Sequence, residues 1–106
     1  MIDWERVEEL KQEIGADDFA EVVGLFLEEV EDTITRMKDT PTLGTLEDDL
    51  HFLKGSALNL GFSRFSSLCQ TGETAAAGGE GNTISLPEIF ACYDSSRVEF
   101  LSRVHA

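Results

Sequence analysis

Apolar residues recur along this chain at alternating steps of three and four, the spacing that lines one side of a helix. No stretch alternates at the step of two that a half-buried strand requires. Trp4, Val7, Leu10 and Ile14 predict a short first helix over 2–14, with Asp3 as its cap and Gly15 as its stop. Phe19, Val22, Val23, Phe26, Leu27, Val30, Ile34 and Met37 predict a longer helix, capped by Asp17 and running to Asp39. Thr40-Pro41-Thr42 breaks it, because a residue before proline avoids helical geometry.

A third helix begins between Thr42 and Thr45, with Thr45 and Asp48 as a capping pair and Glu47, Asp48 and Asp49 suited to a helix start. Its buried stripe is Leu46, Leu50, Leu53, Ala57 and Leu60, and Gly61 ends it. Ser63 caps a fourth helix with Phe65, Leu68, Cys69, Gly72 and Ala76 inside, which fades into a turn over 75–82. Ser85 and Glu88 box the start of a fifth, with Leu86, Ile89, Phe90, Tyr93, Leu101 and Val104 facing inward. Short connections between amphipathic helices imply antiparallel neighbours. The expected fold is all-α: an up-down four-helix bundle with an additional short N-terminal helix, forming one domain over 1–106.

Composition sharpens this picture in two ways. Eight Lys and Arg stand against 21 Asp and Glu, a net charge of −13. Such a surface repels nucleic acid and anionic membrane, and it favours either solvation alone or partners with basic docking surfaces. The two cysteines, Cys69 and Cys92, fall at apolar helical positions without a CxxC, so free buried thiols in a reducing, cytoplasmic setting are expected rather than a disulfide framework or a zinc site. No basic-apolar leader and no apolar run of about 20 residues argues for secretion or a membrane span.

One segment carries candidate chemistry. His51, Lys54, Gly55 and Leu58 cluster about 120° round the third helix from the centre of its buried stripe. A neutral imidazole is a good nucleophile near pH 7. Lys54, three residues on, is its neighbour on the helix surface and can reach the oxygens of a phosphoryl group carried there. Phosphoryl transfer depends on positioning and charge stabilisation, so one such cation matters. Glycine within a helix costs about 1 kcal/mol relative to alanine, so Gly55 asks for a steric reason. Bland readings compete: an isolated helical histidine is most often plain surface, and Gly55-Ser56-Ala57 could serve only close helix packing. Glu28 and Glu29 read as a solvated face, Glu47 as solvated rather than bonded to the ring, and His105 as structural or idle.

The segment resembles the signature of histidine-containing phosphotransfer (HPt) domains, in which His, Lys and Gly are followed by two small residues, an aliphatic and Gly. His51, Lys54, Gly55, Ser56, Ala57, Leu60 and Gly61 match it throughout. The resemblance implies a phosphocarrier in which His51 takes a phosphoryl group from a receiver-domain aspartyl phosphate, through the ring nitrogen farther from the backbone, and hands it to a second receiver aspartate. Lys54 would then bind phosphate and Gly55 would give clearance. The partners implied are response-regulator receiver domains, that of a hybrid histidine kinase among the candidates, and they would bring Mg2+ and their own acid cluster. No metal or cofactor is expected in this chain. Leu58 is expected in an apolar docking surface, with residues near the start of the second helix as further candidates. Arg64 or Gln70 is expected to stand near His51 from the following helix, with no choice between them.

Other classes of function account for fewer of these residues. A docking module without phosphoryl chemistry would explain the helices but not an intact His51, Lys54 and Gly55. A sensor-kinase dimerisation region usually has an acidic residue directly after its histidine, where this chain has Phe52, and no glycine-rich nucleotide motif is present. Self-phosphorylation from ATP is therefore expected to be absent. Lipid or cofactor binding within the bundle would need the Phe-rich stripes to be more than core. No large apolar stripe is left unexplained, which favours a monomer.

Overall fold

A computed structural model describes residues 1–40 and 43–104. The element order is α1 (Trp4–Ile14), α2 (Ala16–Asp39), α3 (Leu43–Leu60), α4 (Ser63–Ala77), a single 3-10 turn (Gly81–Thr83) and α5 (Leu86–Val104). The described residues contain no strand. Pro41, Thr42 and His105, on which the sequence placed a break and an idle histidine, lie outside the described residues.

The periodic stripes form the core. Leu46, Leu50, Leu53, Ala57 and Leu60 of α3 are all buried, as are Phe19, Val23, Leu27, Val30, Ile34 and Met37 of α2. Helix α3 packs most extensively along α4, and α2 against α3, α4 against α5, and α1 against α2 and α3. Two polar ties lock helix pairs together. Arg36 of α2 grips Asp49 of α3, which also accepts the Thr45 hydroxyl. Glu31 of α2 accepts from Tyr93 Oη at 2.8 Å and Arg97 Nε at 2.9 Å on α5. Both cysteines are free and buried.

The helix ends depart from the sequence reading for identifiable reasons. Asp3 caps α1 as expected, accepting from the Arg6 amide. Asp17, however, lies inside α2, which starts one residue earlier. Gly15 adopts φ +97°, ends α1, and its carbonyl accepts from the amides of Asp18 and Phe19, so one glycine serves both helices. Thr45 is likewise inside α3, and its hydroxyl donates to Asp49. Ser63 is the first residue of α4, after Phe62, and its hydroxyl donates to the Met1 carbonyl.

Phe62 and Phe100 are fully buried although neither falls in an expected stripe. Phe62 follows the Gly61 turn and plugs the core against Phe100 at 5.3 Å and Tyr93 at 6.1 Å. Helical periodicity cannot register a turn residue, because its direction is set by the turn and not by a 100° step. Gly72 permits close approach of α4 to α3: a Cβ there would stand 2.9 Å from Leu50 Cδ1.

Candidate functional site

Helix α3 holds His51 outward by burying Leu50 and Leu53 on its other side. The imidazole is 68% exposed. The contact Leu50–Gly72 sets the register of the α3–α4 pair, and one residue further along α4 stands Glu73. Its Oε2 is 2.8 Å from His51 Nδ1, and its Oε1 is 2.8 Å from Lys54 Nζ. Glu73 and Lys54 are only 17% and 20% exposed. The imidazole thus stands in solvent on a half-buried ion pair.

The electrostatics follow from that arrangement. The Lys54 ammonium foremost, with His51 next, holds the Glu73 carboxyl below the ordinary carboxylate range, against the opposing effect of burial. An ionised carboxylate can only accept, so a neutral His51 must carry its proton on Nδ1 and donate it to Glu73. That leaves the Nε2 lone pair available as the nucleophile. Glu73 therefore selects which ring nitrogen can react.

Two measurements check this pairing. At about pH 8, where an ordinary imidazole is neutral, nitrogen shifts of His51 should report the Nδ1–H tautomer, and Glu73→Ala should return the ring to the commoner Nε2–H form. The clamp's share of stability should also be pH-dependent. A depressed folded-state pKa stabilises above the unfolded value, and that stabilisation is lost as pH falls through the folded value. The difference in denaturant midpoint between wild type and Glu73→Gln should be steady above the ordinary glutamate range and shrink as pH falls below it.

The sequence-derived candidates divide into those that meet and those that do not. His51 and Lys54 meet, but through Glu73. The sequence left the Lys54 ammonium at liberty beside the ring, whereas the structure engages it with the carboxylate. Gly55 lies on the same helix with open space around the position of a Cβ, so contact within the chain does not explain this glycine. Leu58 is 56% exposed.

The ring's hydrogen-bond partner on the following helix is Glu73, not Arg64 or Gln70. The Arg64 amide bonds the Met1 carbonyl at the start of α4, and Gln70 Nε2 donates to Thr74 Oγ1. Glu73 takes that place, and the sequence reading missed it. A signal existed: the two-residue Gly61–Phe62 connection makes α3 and α4 a hairpin, and equal steps outward from it bring position 51 level with positions 72 and 73. Glu47 is exposed and the ring bonds Glu73 instead.

No group of three or more His, Cys, Asp or Glu that could hold a metal occurs among the described residues. None of the helices among them is long and apolar enough to cross a membrane. No curated protein and no solved structure matches the chain significantly. A family model does: the one described as Hpt domain matches residues 21–104, from early in α2 to the end of α5. On that match, which spans most of the sequence and encloses the whole His51 site, the chain belongs to the Hpt domain family of histidine phosphotransfer modules in two-component signalling.

Proposed function

We propose that this protein is a phosphorelay intermediate that carries the phosphoryl group on His51 between two receiver-domain aspartates. The observation that supports this reading most is the exposed imidazole whose Nδ1 faces an ionised carboxylate. The Nε2 lone pair attacks the phosphorus of an aspartyl phosphate, the phosphorus–oxygen bond to the aspartyl carboxyl breaks, and the aspartate leaves as carboxylate. The ring gains positive charge as the nitrogen–phosphorus bond forms. Glu73, already accepting the Nδ1 proton, offsets that charge where it develops. Return of the group to a second aspartate reverses these steps.

Lys54 binds the phosphoryl oxygens in this reading. It starts on Glu73, so it must swing towards the phosphoryl group or bridge both anions. Magnesium and the acid cluster belong to the receiver, and the carrier contributes no metal of its own. It has no ATP-dependent kinase activity, and works as a monomer in the cytoplasm, where Cys69 and Cys92 stay reduced. The helix pairs tied by Arg36–Asp49 and Glu31–Tyr93–Arg97, together with the α3–α4 hairpin, favour an up-down antiparallel four-helix bundle with α1 as the additional helix.

The test is phosphoryl transfer from phosphorylated receiver domains of the source genome to the purified protein, followed by chase with unphosphorylated receivers. Incorporation that is acid-labile and leaves on the chase supports the relay. Absence of incorporation from every receiver would sink it, and incorporation from ATP alone would make the protein a kinase.

Gly55 gives a second check, because stability and function should move in opposite directions. With nothing near its Cβ position, Gly55→Ala should stabilise the helix by about 0.5–1 kcal/mol. Gly55→Leu should fold as well, yet slow transfer from a receiver by about tenfold or more, the effect of losing ~1.4 kcal/mol of close approach. Urea unfolding and transfer rates measured on the same preparations decide this.

A further inference from the structure

The face around His51 has a charge pattern that says what kind of surface fits it. Lys54, Arg36 and Arg6, which border α3, are each engaged by acidic groups of the chain. Lys54 meets Glu73, Arg36 meets Asp49, and Arg6 meets Glu9 and Glu13 while its Nε donates to the Asn59 carbonyl. The carboxylates that remain are unopposed. Glu47 and Asp48 are exposed one turn before His51 and Phe52. Glu29, also exposed, lies two turns before Arg36 along the edge of α2 that borders α3. Three apolar side chains stand in solvent on these two helices: Leu25, one turn before Glu29 on α2, at 56%, and Phe52 and Leu58 on α3 at 39% and 56%. Gly55 lies between Phe52 and Leu58 with open space at its Cβ position.

We propose that this face selects its partner by charge, and that its occupant is a receiver-domain surface with an apolar centre rimmed by lysine and arginine. This rests on the phosphocarrier reading and adds what that reading leaves open, namely which receivers are taken and which refused. Apolar side chains with a free carboxylate rim form the usual centre and edge of a transient interface. Complementary charge there raises encounter rates and suppresses like-charged partners more than it deepens affinity. A receiver with an acidic docking surface meets the exposed carboxylates of Glu29, Glu47 and Asp48.

The experiment uses the whole chain and two donors. Phosphoramidate labels histidine without docking, and phosphorylated receiver domains of the source genome must dock. Variants are Glu29→Lys/Asp48→Lys and the neutral Glu29→Gln/Asp48→Asn, each checked for folding by its melting temperature. Transfer from the fastest receiver should fall by about tenfold or more in the charge-reversed variant and by a smaller factor in the neutral one, and should fall similarly as salt rises from about 50 to about 300 mM. Receivers ranked by rate should also rank by positive charge on the docking surface. If transfer stays within about twofold in both variants and across that salt range, charge selection is wrong while the carrier reading stands. If wild type takes phosphate from phosphoramidate but from no receiver, or from neither donor, the carrier reading itself fails and charge selection falls with it.

Discussion

His51→Gln should abolish phosphoryl acceptance and leave the fold standing. The first half follows from chemistry. Glutamine has a polar side chain of similar reach but no nitrogen lone pair that can attack phosphorus, and among the described residues no second imidazole is held in the same arrangement. The second half follows from exposure. The ring is mostly in solvent and its one bond is to Glu73, which keeps its ion pair with Lys54 when the imidazole is gone. The stability cost should stay within about 1 kcal/mol, the worth of one exposed charged hydrogen bond. Label transfer from a phosphorylated receiver, with circular dichroism and urea unfolding on the same sample, reads both. A variant that still takes up phosphate means another residue is the acceptor. One that loses phosphate uptake together with several kcal/mol means His51 is a structural residue.

Gly61→Ala should be the most damaging single-methyl change in the chain. Gly61 has φ +82°, where an L side chain costs about 1–2 kcal/mol. A Cβ there would stand 2.7 Å from the backbone oxygen of Asp3 and 3.1 Å from Val7 Cγ2. The backbone oxygen cannot rotate away. The same junction carries the 2.7 Å bond from the Asp3 amide to the Gly61 carbonyl, which joins the start of α1 to the α3–α4 turn. Strain plus a weakened bond of about 1 kcal/mol puts the loss at about 2–4 kcal/mol, or roughly 10–20 °C in melting temperature for a domain of this size. Gly72→Ala is the comparison. Its nearest obstacle is Leu50 Cδ1, the mobile end of a side chain, so it should cost less. Near-equal losses in the two variants would show that the Gly61 junction is not the constraint described here.

Much of the architecture was legible in the residue pattern. The buried faces of α2 and α3 match their apolar stripes, and Gly15 and Gly61 end helices where glycine was expected to. The helix starts were less legible. Asp17, Thr45 and Ser63 all have the chemistry of a cap, yet Gly15 shares itself between two helices, Asp49 recruits Thr45, and the Met1 carbonyl recruits Ser63. In each case a competing contact, within the helix for Thr45, at the shared glycine for Asp17 and from the distant Met1 for Ser63, outbid a capping preference worth about 1 kcal/mol. Phe62 was missed for a related reason: its burial depends on where the turn aims it.

By itself the sequence determined what lies within one helix. Steps of about 100° decide that Leu50 and Leu53 go inward and that His51, Lys54, Gly55 and Leu58 share the other side, and no partner is needed for that result. Only the tertiary structure decided what meets His51. Glu73 is 22 residues away in sequence, and its arrival depends on the register of α3 against α4, set by the Gly61 turn and by Gly72 receiving Leu50. A shift of one residue in that packing would turn a different side chain of α4 towards the ring. Local geometry therefore put the imidazole in solvent, and helix packing chose which of its nitrogens carries the proton.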